Sequence, residues 1–143
     1  FPLVACPPSL DLLTFTGLVA AREGVIINVQ CESLALEGLS QLVYTLDRIR
    51  KALFQGLVIR GVLLTMYDGR TKLAVDVVHE VRKYFPTQVF KTIIPRTVRL
   101  AEAPSYGLPV SVYSPTSSGA QAYATLAREI LDGDGVPIPV NQE

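Results

Sequence analysis

Leu57-Val58-Ile59-Arg60-Gly61-Val62-Leu63-Leu64-Thr65-Met66 is the longest apolar run of the chain. The polar turn Tyr67-Asp68-Gly69-Arg70-Thr71 follows it, and then Lys72–Phe85, where Val75, Val78, Val81 and Phe85 recur at near-helical steps. A run this apolar, interrupted only by Arg60 and Thr65 and without regular polar alternation, is what a strand covered on both faces presents. Three- and four-residue steps give the next segment one apolar helical face, and Pro86 closes it. Strand, turn and helix in immediate succession make half of a βαβ unit.

The alternation extends in both directions. Upstream, Val25-Ile26-Ile27-Asn28-Val29-Gln30 is rich in β-branched residues and predicts a strand. Ala35–Phe54 follows it, with Leu36, Leu39, Val43, Leu46, Ile49 and Leu53 on one helical face. At the start, Leu3–Cys6 predicts a short buried strand ended by Pro7-Pro8. Ser9 there is placed to cap a helix over Leu10–Arg22. Downstream, Val89–Ile94 predicts a strand cut by Pro95. Arg96–Pro109 predicts an irregular loop with a helical turn near Leu100–Ala103, Val110–Tyr113 a short final strand, and Ala120–Leu131 a last helix opened by Ser118-Gly119. The tail Gly133–Glu143, with two prolines and two glycines, is expected to be flexible, which leaves residues 1–132 as one domain. The whole pattern implies an α/β fold: a mainly parallel sheet with helices on both faces. Ligands of such sheets sit beyond the carboxyl ends of the strands. The segments leaving those ends are Pro7–Ser9, Gln30–Glu32, Met66–Lys72 and Pro95–Arg99.

Composition narrows the classes of function. Of 143 residues, 49% are apolar and 18% charged, enough apolar material to offset the ordering entropy of a folded domain. Thirteen basic residues balance thirteen acidic ones, so a global basic field is excluded while a local basic patch is not. No apolar run approaches the about 20 residues of a membrane span, and no membrane partner is expected. Cys6 and Cys31 are too few for a disulfide scaffold and are expected to be buried free thiols in a reducing cytoplasm. His79, among Asp76, Glu80, Arg82 and Lys83, is expected on the wet face of its helix, and one His with two scattered Cys makes no zinc set. Ser9, Ser105 and His79 form no nucleophilic triad, and no residue is put forward as catalytic or as a metal ligand. The start at Phe1, inside an apolar run, is expected of a piece of a longer chain.

Four cations, Arg70, Lys72, Arg96 and Arg99, follow strands at the expected carboxyl edge. Guanidinium groups suit phosphate oxygens through forked hydrogen bonds. The plain alternative is a solvated surface arginine, or one paired with Asp68 or Glu102.

Taken together, several stretches carry a resemblance. They are Val4-Ala5-Cys6-Pro7-Pro8-Ser9-Leu10, Val29-Gln30-Cys31-Glu32, Ala35-Leu36-Glu37-Gly38-Leu39, Gly61–Thr71, Ile94–Ser105 and Ser118–Tyr123. In this order and spacing the chain resembles the carboxyl-terminal half of the ParA/Soj chromosome- and plasmid-partition ATPases, over about residues 3–131. The resemblance implies a partial P-loop nucleotidase fold of the ParA/MinD type. It also implies ATP with Mg2+ as the family's cofactors, an ATP-bound homodimer, DNA bound without sequence preference, and a ParB-type partner that stimulates hydrolysis at the nucleoid. By the same resemblance Met66, Pro95 and Arg96 fall beside the nucleotide base, Arg70 and Arg99 on DNA, and Glu32 and Glu37 near the dimer interface. For Met66 and Pro95 the alternative is packing at the edge of the core; for the two glutamates it is a helix-start carboxylate.

Two departures accompany the likeness. No G-x-x-x-x-G-K-[ST] occurs in these 143 residues, so the nest of amides and the lysine that hold phosphates are not among them. Ala5 stands where the family carries the aspartate that helps hold magnesium. These residues alone are therefore not expected to bind or hydrolyse ATP. A non-enzymatic module that binds DNA or a ParA-type partner is the first alternative. A MinD-like membrane ATPase is the second, and it is disfavoured because the tail has no lysine or arginine.

Overall fold

The central strand, β2 (Ile59–Tyr67), lies between β1 (Val25–Gln30) and β3 (Val89–Pro95), and both neighbours run parallel to it. The computed structural model describes residues 2–6, 12–21, 24–32, 44, 47, 51 and 58–133. The expected cap at Ser9, the helix over 35–54 with Glu37 (apart from Tyr44, Asp47 and Lys51), and the tail beyond Gly133 lie outside the described residues. Helices α1 (Leu12–Ala20) and α2 (Lys72–Tyr84) precede β1 and β3. After β3 come α3 (Val98–Glu102), a 3-10 turn over Ala103–Tyr106, α4 (Val110–Tyr113) and α5 (Ser118–Gly133).

The parallel arrangement follows from the crossover through α2, whose apolar stripe must return to the sheet. Ala74, Val77, Val81 and Phe85 pack with Ile27, Val29, Ile59, Val62 and Leu64 on one face. On the other face, Leu126 of α5 meets Leu63 and Ile94, flanked by Ile26, Phe90, Leu100, Ala122 and Ile130. Both faces of β2 are thus covered, and Val62 and Leu64 are fully buried. The expected α/β sandwich is present. The face of α2 is rotated from the expected one: Val75 is 48% exposed while Ala74 and Val77 are sealed. The valines at 75, 77, 78 and 81 offer two overlapping helical stripes, and only the one opposite the exposed Asp76, His79 and Lys83 is buried.

Two glycines permit close approach. A Cβ at Gly61 would enter the Phe90 ring, and one at Gly119 would come within 2.7 Å of Leu100, so α5 could not lie so close to α3 with a larger residue there. Glu129 of α5 accepts from the backbone amides of Lys91 (2.6 Å) and Thr92 (3.0 Å). At this point β3 advances from Val89 to Ile93 while β2 advances only from Val62 to Leu64. The carboxylate therefore takes two consecutive amides where the pairing of β2 and β3 is irregular.

Three expectations are corrected. Residues 3–6 are not a buried strand: Leu3 is 88% and Val4 70% exposed, and the segment joins none of the three strands. Cys6 and Val4 instead lie beside Gly17 of α1, which has no side chain to hold them off; an apolar run becomes a strand only where a sheet edge receives it. Cys6 is accordingly exposed, while Cys31 is buried as expected. Val110–Tyr113 is one helical turn, closed by Tyr113 N–H and Ser114 N–H donating to Pro109 and Val110 carbonyls at 2.9 Å each. Pro109 suits a helix start because it has no amide to lose, and this outweighs the β preference of the two valines.

Candidate functional site

The three parallel strands end side by side. Cys31 N–H donates to the Thr65 carbonyl at 2.8 Å and Arg96 N–H to the Tyr67 carbonyl at 2.9 Å, which ties the segments leaving β1 and β3 to the end of β2. Threonine caps then open the helices that leave β2 and β3: Thr71 Oγ1 accepts from Ala74 N–H (3.3 Å) and Thr97 Oγ1 from Leu100 N–H (3.2 Å). Gln30–Glu32, Met66–Lys72 and Pro95–Arg99 thereby converge on one carboxyl edge; Pro7–Ser9 lies outside the described residues.

Met66 and Pro95 are half-buried at this edge. Met66 has φ 56°, the left-handed region, and is the only non-glycine residue among those described with positive φ. It sits where β2 advances from Leu64 to Tyr67 while β3 advances from Ile93 to Pro95, so the extra residue of β2 is accommodated there. Tyr67 is set opposite Pro95 as a result. Arg96, exposed, reaches back across the edge to Glu32 at 3.2 Å. Sequence reasoning placed Arg96 and Glu32 separately; no local pattern pairs residues so far apart in the chain.

Arg70 and Arg99 are exposed, with side chains 90% and 57% accessible. Neither is a bare cation. Arg70 forks onto Asp68, Nε to Oδ1 at 2.9 Å and Nη2 to Oδ2 at 2.7 Å, while its own amide donates to Oδ1 at 3.1 Å. Hydrogen bonds from Arg70 hold the Asp68 carboxyl down at about 2, and the same bond raises the Arg70 pKa. Arg99 donates to Glu102 at 3.0 Å, and the Tyr113 hydroxyl donates to the same carboxylate oxygen at 2.9 Å. The Glu102 hydrogen bond raises the pKa of both Arg99 and Tyr113. The ring of Tyr113 stacks on Tyr106 at 5.0 Å. The pairings with Asp68 and Glu102 are those the sequence allowed. Tyr113 was not foreseen, because a residue assigned to a strand was not expected to turn onto α3.

His79 is exposed on α2 as expected, and burial pushes the Cys31 thiol up to about 11, the behaviour of a structural cysteine. Among the described residues no group of three His, Cys, Asp or Glu could hold a metal ion, and no helix is long and apolar enough to cross a membrane. Ala5 is exposed and brings no carboxylate. The half-buried Met66 and Pro95 beside Arg96 are of the kind that fits the flat apolar face and polar rim of a base.

Known proteins supply the context. A family model described as an AAA domain matches residues 1–59. The chromosome-partitioning ATPase Soj of Treponema pallidum (strain Nichols) is 54% identical over 135 residues, which cover 94% of this chain and 53% of that protein. The sporulation initiation inhibitor protein Soj of Bacillus subtilis (strain 168) is 54% identical over 128 residues, 90% of this chain and 50% of that protein. The chromosome partitioning protein ParA of Myxococcus xanthus (strain DK1622) is 49% identical over 132 residues. Among solved structures, cobyrinic acid a,c-diamide synthase from Mycobacterium smegmatis with a bound ATP analogue and magnesium superposes with a TM-score of 0.70 at 33% identity, over 96% of this chain and 51% of that one. The chain spans about half the length of the curated relatives it matches. At this identity along nearly its whole length, and with the parallel α/β core shared with a structure that holds an ATP analogue, the chain corresponds to about one half of the Soj/ParA chromosome-partitioning proteins.

Proposed function

We propose that this chain supplies the base-side edge of the nucleotide site and the DNA-contacting face of a partitioning ATPase. In that reading Met66, Pro95 and Arg96 border the nucleotide base, and Arg70 and Arg99 contact duplex DNA through its phosphates, without sequence preference. The observation that carries it is the exposure of both arginines on the segments that leave β2 and β3 at the same edge. The names of the relatives support the partitioning context. Dimerisation on ATP, a ParB-type partner and a cytoplasmic, nucleoid-associated location come with the family reading.

The triphosphate and its magnesium, when bound, supply the hydrolysable bond and the charge that closes a dimer; the described residues here contribute base contacts and the DNA face only. A second reading, a DNA- or partner-binding module without turnover, is favoured by one observation, Ala5 at the family's aspartate position. Fluorescence anisotropy with labelled duplexes of unrelated sequence tests both. Equal binding to all duplexes, weakened by Arg70→Ala and by Arg99→Ala, is expected. Binding unaltered by either substitution contradicts the DNA assignment, and tightening on addition of Mg-ATP contradicts the module without nucleotide.

A further inference from the structure

Each arginine of the proposed DNA face comes with its own competing anion. Asp68 lies two residues before Arg70 and takes its guanidinium in a fork, through Nε and Nη2. Glu102 lies three residues after Arg99 and takes Nη1, while the Tyr113 hydroxyl braces the same carboxylate oxygen. The two cations are on different elements, a turn and α3, yet each is held by a carboxylate two or three residues away. Phosphate oxygens and carboxylate oxygens compete for the same guanidinium donors. A duplex arriving at this face must displace each carboxylate, or tolerate its charge close to a phosphate.

Resting on the proposed DNA reading, we propose that Asp68 and Glu102 are attenuating residues for duplex binding: they occupy Arg70 and Arg99 in the free chain and hold affinity for DNA below what the exposed cations would give. Weak nonspecific binding suits a protein that must leave DNA as well as find it, and a carboxylate built into each contact weakens it without removing the cation. Both anions have a structural reason to stay in place. Asp68 also accepts the Arg70 amide, and its carbonyl accepts from the Thr71 amide (3.0 Å) and hydroxyl (2.9 Å), so the turn itself holds the anion beside the cation. Glu102 is fixed at the end of α3 by Tyr113, which in turn is stacked on Tyr106.

The test measures duplex affinity of the full chain and of Asp68→Asn and Glu102→Gln. Asparagine keeps an oxygen for the Arg70 amide and glutamine one for the Tyr113 hydroxyl, so both turns persist. Asp132→Asn is the control for net charge. The contact of Gly119 with Leu100 and that of Glu129 with Lys91 run α5 from the carboxyl edge toward the amino end of β3, which puts Asp132 away from the arginines. Exposed ion pairs of this kind support a gain of about two- to five-fold in affinity for each of the two variants, with no gain for the control. In the Arg70→Ala background, Asp68→Asn should then bring no gain, as expected if it acts through the arginine. Gains no larger than that of Asp132→Asn, or a gain that survives Arg70→Ala, overturn the attenuation while leaving the DNA reading intact. Loss of Arg70 and Arg99 without effect on binding, or no binding by any variant at low salt, overturns both.

Discussion

Arg96 and Glu32, 64 positions apart in sequence, form an ion pair of 3.2 Å that joins the segments leaving β3 and β1 across the end of β2. The pair spans the edge where the base is proposed to lie, so it links strand ends that a ligand would otherwise be left to order. Both side chains are well exposed, 61% and 42%. Exposed pairs contribute at most about 1 kcal/mol. Arg96→Ala is therefore expected to change unfolding stability by less than about 1 kcal/mol in urea titrations, and a larger loss would show that the bridge holds the fold rather than the edge.

Met66 stores strain at the same edge. Its φ of 56° is tolerated by asparagine but opposed by β-branched residues. Met66→Val should be less stable than Met66→Asn by about 1–2 kcal/mol. The measurement is paired denaturant unfolding, and equal stability of the two variants would contradict the left-handed conformation at this position.

The buried face of α2 can be read out by two truncations. Leu64, fully buried beneath that helix, should cost about 2–5 kcal/mol on replacement by alanine. Val75→Ala, on the exposed side, should stay within about 0.5 kcal/mol of the parent. Comparable losses at the two sites would mean that the helix presents the other stripe to the sheet.

The sheet was legible because its signal is local and redundant. The run ending at Met66, the valines and isoleucines of 25–30, and the segment cut by Pro95 each state a strand, and the helical steps of 72–85 between two of them leave only a parallel crossover. What was not legible depended on partners outside the local window. Leu3–Cys6 has strand composition but meets α1 at Gly17 instead of a sheet edge. Val110–Tyr113 has β-branched residues, but Pro109 and the bond from Tyr113 to Glu102 make it a helical turn. At the candidate site, the pairs Asp68–Arg70 and Arg99–Glu102 were within reach of sequence reasoning because their partners are two and three residues apart. Glu32–Arg96 and the contact of Glu129 with β3 were not, since only the fold brings them together.

Glu129 gives a pH dependence. Partial burial raises its pKa, but hydrogen bonds from Thr92 and Lys91 outweigh that and hold the carboxyl below its ordinary 4.5. A folded pKa below the unfolded one means that the unfolded chain binds more protons. The stabilisation is therefore complete above pH 4.5 and is lost as pH falls toward and through the lowered folded value. Glu129→Gln should lose stability at neutral pH, and the gap from the parent should narrow in acid. Stability curves that stay parallel below that pH would show that the carboxylate charge has no part in holding β3.

The salt dependence of duplex binding reads out whether Arg70 and Arg99 contact phosphates. Each phosphate contact adds about 0.9 to the slope of log affinity against log salt. The chain and its Arg70→Ala, Arg99→Ala double variant are compared over a salt series on duplexes of unrelated sequence. If the two arginines do contact phosphates, the variant binds every duplex more weakly, with a slope shallower by about 1.8. Identical slopes and affinities for the two proteins would contradict DNA contact by Arg70 and Arg99.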